Sequence, residues 1–165
     1  MPPLHPLAKA FPRSRSTVYN IESGADGHVV MDIVSKETRS RMMGSIKGKD
    51  TAPELAVRKA AHALGLRFRL HRKDLPGSPD LVFSARNTAM FVHGCYWHRH
   101  EGCRYSYSPK SNVDFWQQKF KNNIARDKRV REELEQRGWR VVTLWECETA
   151  EEDDLRRKLK AIFKS

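Results

Sequence analysis

The chain has only three cysteines in 165 residues, Cys95, Cys103 and Cys147. So small and odd a number excludes a disulfide framework as the basis of the fold, and no secretory apolar segment precedes them, so reduced thiols are expected. Long apolar runs are also missing: none approaches the roughly 20 residues that a membrane helix needs. Acidic residues are scarce relative to basic ones, 20 against 31, which leaves a formal charge of +11. That imbalance points to an anionic partner, of which nucleic acid is the commonest; a basic surface that only aids solubility is the bland alternative.

With 39% hydrophobic and 31% charged residues, the composition is that of one soluble globular domain large enough for an ordinary core. Residues 1–33 stand apart. They hold Pro2, Pro3, Pro6 and Pro12, then a Gly/Asp-rich patch at Gly24–Gly27, with no sustained period, and are expected to be a mobile extension. Lys9, Arg13 and Arg15 balance Glu22, Asp26 and Asp32 there, so all of the +11 falls on residues 34–165. Met31 opens a segment that looks like a natural start, so an upstream initiation codon is expected to account for the first thirty residues.

Within 34–165, the basic stretch from Lys36 to Lys49 puts Met42, Met43 and Ile46 at helical spacing, which suits a docking helix or a DNA-contacting arm. Thr51 followed three residues later by Glu54 is a capping-box pattern, and Val57, Ala60, Ala61 and Leu64 continue a helix that Gly65 stops. Glu54 lies on the same face. It is either the capping partner or part of a polar site under the helix, and the local pattern favours the cap. Arg67–His71 alternates as a strand with Phe68 and Leu70 on one face. Leu81–Ser84 and Ala89–Val92 read as a hairpin turning at Arg86-Asn87. Asn112–Arg137 carries Trp116, Phe120, Ile124 and Leu134 on one helical stripe that also includes Asp127. Trp139–Trp145 reads as a strand, and Thr149 with Glu152 as the cap of a last helix bearing Leu155, Leu159 and Ile162. The order α-β-β-β-loop-α-β-α predicts an α/β (α+β) domain with helices against a mixed sheet.

The chemistry concentrates between Asp80 and Cys103. Cys95, His100 and Cys103 are spaced by five and three residues, and Cys147 follows a later strand. Four such ligands suit tetrahedral Zn²⁺ with no open position, hence a structural ion pinning the loop to the last strand. Three unrelated buried cysteines would be the alternative, but the loop is too polar for a core. Asp80 starts one strand of the hairpin and His93 ends the other, so both are expected at one rim of the sheet with His98 nearby. A carboxylate that can hold Mg²⁺ on a phosphate and a histidine that can take a proton from water are the equipment of a phosphodiester hydrolase. Asp127 would orient His98 or form a structural salt bridge. Tyr96 and Trp97 lie in polar surroundings and suit stacking on bases, whereas Trp116 belongs to the same wedge or to the core, and its helical stripe favours the core.

Taken together and in order, TRSRMMGSI, DTAPE, LPGSPDLVF, FVHGCYWHRH, DFWQQKFKNNIARDKR and GWRVVTLWECE resemble the very short patch repair (Vsr) DNA mismatch endonucleases over residues 36 to about 148. The resemblance implies a restriction-endonuclease-like fold and nicking of double-stranded DNA 5′ to the thymine of a T:G mismatch left by 5-methylcytosine deamination, in a bacterial cytoplasm, beside a cytosine-5 methyltransferase and possible mismatch-repair partners. It implies that Asp80 and the Val92 carbonyl hold Mg²⁺ and that Glu54 holds a water of that ion. His98 would activate the attacking water, His93 would assist at the phosphate, and Asp127 would support His98. Tyr96, Trp97 and Trp116 would intercalate, with Met43 entering from the opposite groove. Glu54 thus moves from cap to site residue. Phe91 and His93 stand where a nuclease of that fold usually carries an acid and a lysine. Arg99 interrupts the histidine run, and Glu101-Gly102 places one extra residue before Cys103. A single nick needs only a monomer. The competing reading is a zinc-stabilised, non-catalytic mismatch-binding module.

Overall fold

The computed structural model describes residues 37, 38, 41 and 48–164. The chain divides into two units, Met1–Ile46 and Lys47–Ser165. In the first, Arg41 Nη2 donates to the Thr38 hydroxyl at 3.4 Å. The expected N-terminal extension and Met42, Met43 and Ile46 lie outside the described residues.

The second unit runs α1 (Ala52–Ala63), β1 (Arg69–Leu70), β2 (Leu81–Phe83), β3 (Thr88–His93), α2 (Val113–Gln136), β4 (Arg140–Trp145) and α3 (Glu152–Phe163), with short 3₁₀ turns at Ser84–Arg86 and Glu146–Glu148. This is the anticipated order. The sheet order is β1-β2-β3-β4. β1, β2 and β3 pair antiparallel, and β3 pairs parallel with β4, with Leu81 opposite Met90 and His93 opposite Trp145. A parallel partner needs a long crossover, and the loop after β3 together with α2 supplies it.

Alternation along the strands builds two apolar faces. Leu81, Phe83, Met90 and Leu144 meet Val57, Ala60 and Ala61 of α1 and Leu155, Leu159 and Phe163 of α3. Val82 and Ala89 point the other way, toward Leu134 of α2 and Leu75. Each fully buried large side chain contributes about 1.5–3 kcal/mol by leaving water, so the sheet is clamped from both sides. The hairpin turns on Asn87, whose φ of 42° lies in the left-handed region that asparagine tolerates. The 74–79 loop is pressed onto α2: at Gly77 (φ +68°) a Cβ would stand 2.5 Å from Val130 Cγ1.

Three expectations are corrected. β1 is two residues long and exposed, because Leu70 is 42% exposed and only Phe68 packs on the core. Thr149 does not cap α3. Its hydroxyl donates back to the Glu146 carbonyl at 2.8 Å, closing the 3₁₀ turn, and the helix starts at Glu152 with three acids in its first turn favouring the helix dipole. Ile124 is 49% exposed, so the apolar stripe of α2 is broken in its middle. Among the described residues, no helix is long and apolar enough to cross a membrane.

Candidate active site

β3 delivers His93 to its C-terminal end, and the chain then turns so that His98 stacks on it, ring centroids 3.8 Å apart at 14°. α2 approaches from the other side and presents Asp127, whose Oδ2 lies 2.5 Å from His98 Nδ1. The contact pairs Asp127 with His98. A carboxylate there accepts, so Nδ1 is the donor and Nε2 is the nitrogen left to face outward. Burial works against ionisation of Asp127, but its contacts with His98, and the nearby His93 and Arg126, outweigh that and hold its pKa below the ordinary value. Arg126 Nη2 closes on the other oxygen at 3.1 Å. His93 is driven down to about 4, first by burial and then by the neighbouring His98, so it stays neutral near pH 7.

Asp80, immediately before β2, accepts the Val92 N–H at 2.8 Å, which ties its carboxylate to the strand that ends in His93. Burial raises its pKa; the Val92 hydrogen bond opposes this, and nearby Glu54 adds to it. Glu54 is 4% exposed in the first turn of α1. Its Oε1 accepts the Thr51 hydroxyl at 2.9 Å and, at a long 3.5 Å, the Thr51 N–H. Its Oε2 accepts the Asp50 N–H at 3.1 Å and Arg58 Nη2 at 2.9 Å. Glu54 is therefore both a cap and an acid close to Asp80, and neither alternative excludes the other. Sequence reasoning missed Arg58 and His71, which join this network.

Cys95, His100, Cys103 and Cys147 converge, their ligand atoms all within 4.8 Å of one another. His100 Nδ1 lies 3.6 Å from Cys95 Sγ and 3.3 Å from Cys147 Sγ. Ligands around a tetrahedral zinc with bonds near 2.0–2.3 Å stand about 3.5–3.8 Å apart, so donor set and spacing both fit. Burial first, then the adjacent thiols, pushes Cys147 up to about 12, and burial raises Cys95. A cation that displaces these protons would link the loop to the end of β4. Around the ligands, Glu146 accepts the Cys95 N–H at 3.2 Å and Trp145 stacks on His100 at 4.2 Å. The buried cluster is consistent with a structural zinc site.

Tyr96, Trp97 and Trp116 form one half-buried aromatic group, with centroids 5.1 Å apart for Tyr96–Trp97, 5.9 Å for Tyr96–Trp116 and 6.0 Å for Trp97–Trp116. Trp116 thus leaves the core and joins the loop aromatics. Lys119, which the sequence did not single out, sits over Trp97 at 5.4 Å and Trp116 at 5.7 Å. Met43 lies outside the described residues.

The family model described as DNA mismatch endonuclease Vsr matches residues 31–104. The type II nicking enzyme V.XorIIP of Xanthomonas oryzae pv. oryzae is 48% identical over 132 residues, 80% of this chain and 96% of that protein. V.NmeAIP, a type II nicking enzyme of Neisseria meningitidis serogroup A, is 39% identical over 133 residues, 81% of this chain and 94% of that protein. DNA mismatch endonuclease Vsr of Escherichia coli K12 is 39% identical over 116 residues, 70% and 74% of the two chains. With these relatives matched along most of their length, the chain belongs to the Vsr DNA mismatch endonuclease family and is a DNA-nicking hydrolase of phosphodiester bonds.

Proposed function

We propose that this nicking endonuclease cuts duplex DNA 5′ to the thymine of a T:G mismatch, the lesion left when 5-methylcytosine deaminates, and so initiates very short patch repair in a bacterial cytoplasm. The observation that carries the chemistry is the His98–Asp127 pair, 2.5 Å apart, with the His98 ring stacked on His93, the residue after the Val92 N–H that Asp80 accepts. With Nδ1–H held by Asp127, His98 Nε2 takes a proton from the attacking water. The water oxygen bonds to phosphorus as the P–O3′ bond breaks and O3′ takes a proton from solvent, leaving a 3′-hydroxyl and a 5′-phosphate on the thymidine. His93, neutral near pH 7, packs against His98 and assists at the phosphate. Asp80 and the Val92 carbonyl would hold Mg²⁺, with Glu54 ordering a water beside it; the ion supplies charge neutralisation at the scissile phosphate. Hard oxygen donors from two neighbouring acids suit that ion.

Tyr96, Trp97 and Trp116 supply ring faces of intercalating size, and Lys119 adds positive charge among them. Met43 would enter from the other groove. The sheet with helices on both faces agrees with a restriction-endonuclease-like fold, and a monomer suffices for one nick. The reading is tested by Asp80→Ala and His98→Ala. Both are expected to bind a T:G duplex as the parent does while losing nicking by at least about 100-fold. Unimpaired nicking by either variant would remove that residue from the chemistry.

A further inference from the structure

Asp50, Glu54 and His71 bring an oxygen, an oxygen and a ring nitrogen within 4.8 Å of one another, a donor set of the kind that holds a metal. The space between them is taken by the guanidinium of Arg58. Its Nη1 donates to Asp50 Oδ1 at 2.5 Å. Its Nη2 donates to Glu54 Oε2 at 2.9 Å and meets His71 Nε2 at 3.0 Å. Because a guanidinium only donates, His71 Nε2 is the acceptor in this contact. The Arg58 side chain is 12% exposed and that of Glu54 5%. Both terminal nitrogens are thus committed to side chains of this protein, and the group is not presented to a DNA phosphate.

The two residues that brace Arg58 are held in left-handed backbone, Asp50 at φ 55° and His71 at φ 44°. Such conformations cost non-glycine residues free energy and persist where the surroundings over-determine them. The bracing also divides the work on Glu54. Thr51 fixes one carboxylate oxygen through its hydroxyl, while Asp50 N–H and Arg58 fix the other. A capping box needs none of these: its bond to Glu54 is the one from the Thr51 N–H, here a long 3.5 Å.

We propose that Arg58, braced by His71 and Asp50, is a positioning residue: a built-in cation that fixes the Glu54 carboxylate in the orientation from which it serves the divalent ion at Asp80. Arg58 acts through Glu54 and does not touch the substrate. This inference rests on the proposed roles of Asp80 and Glu54 in holding that ion. The conservative change Arg58→Lys keeps the charge but cannot bridge three partners in one plane.

The test measures Mn²⁺ binding by electron paramagnetic resonance, and the Mg²⁺ concentration that half-saturates nicking, for the full chain on a T:G duplex. Parent, Arg58→Gln, Arg58→Lys, Glu54→Gln, Asp80→Ala and the Arg58→Gln/Glu54→Gln double variant are compared. Arg58→Gln is expected to weaken Mn²⁺ binding and raise the half-saturating Mg²⁺ by roughly tenfold, with DNA affinity unchanged and Arg58→Lys intermediate. In the Glu54→Gln background the Arg58 change is expected to add nothing. Parent-like metal binding by Arg58→Gln, or a full additional loss in the double variant, would overturn the positioning role while Asp80→Ala still abolished binding. Parent-like binding and nicking by Asp80→Ala would overturn the underlying site reading, and this inference with it. Arg58→Lys, the milder change, supplies the reading if Arg58→Gln fails to fold.

Discussion

Asp127→Asn isolates what the carboxylate does for His98. The pair is largely sheltered, with the two side chains 17% and 22% exposed, and the contact is 2.5 Å. Asparagine keeps the size and can still accept from Nδ1–H through its amide oxygen. Under the proposed roles it loses the negative charge that would stabilise the imidazolium formed when His98 takes the water proton, and it can rotate its amide so that the ring no longer presents Nε2. A hydrogen bond to a charged group contributes about 1.5–3 kcal/mol, so a loss near 2 kcal/mol in the transition state corresponds to roughly 30-fold in rate. The assay is single-turnover nicking of a labelled T:G duplex at saturating enzyme, with binding measured separately by fluorescence anisotropy. The rate constant should fall about 30-fold with affinity unchanged, and the same substitution should have no effect in a His98→Ala background. A rate within threefold of the parent would refute the assignment of Asp127 to His98 and leave the contact as a structural salt bridge.

Other consequences concern stability and metal. Asp80→Asn should raise the unfolding temperature at pH 7 while abolishing nicking: the folded pKa is raised by burial, so ionisation above its ordinary range costs the fold, and asparagine can still accept the Val92 N–H. Because His93 is depressed to about 4 against 6.5 unfolded, the unfolded chain takes up its proton first on acidification, so stability should fall between about pH 6.5 and 4 by on the order of 3 kcal/mol. His93→Gln should flatten that part of a urea-denaturation pH series; an unchanged slope would dismiss the burial argument. Elemental analysis should find one zinc per chain, and Cys147→Ser should lose it along with roughly 10 °C of thermal stability. Retention of zinc by that variant would remove the fourth ligand.

The elements with strong local signals were legible. The helix carrying Phe120 and Leu134, the hairpin turning at Asn87 and the strand ending at Trp145 follow from periodicity and turn chemistry that the tertiary structure does not override. The Cys95, His100, Cys103 and Cys147 cluster was legible because cysteines are few here and all three fall in it. Asp127 was flagged because a carboxylate on an otherwise apolar stripe needs a partner, and His98 supplies it. Ile124 misled because apolar spacing alone does not show which positions of a long helix find a packing partner, and this one is 49% exposed. Thr149 misled because the same hydroxyl that caps a helix can close a 3₁₀ turn. Arg58 stands four residues after Glu54 on α1, a spacing that offered the ion pair and was not used, whereas His71 lies thirteen positions beyond Arg58 and only the fold brings it to the same guanidinium. His71, followed by Arg72 and Lys73 before a loop, gives no local sign of that partner.

The most direct test of the account is strand-resolved nicking of matched duplexes that differ only at one base pair, T:G, T:A or C:G, in the context of a cytosine-5 methyltransferase site with Mg²⁺. A single cut 5′ to the thymine of the T:G strand, leaving a 5′-phosphate and an intact opposite strand, is the predicted result. Equal cutting of the T:A duplex, or cleavage of both strands, would contradict it.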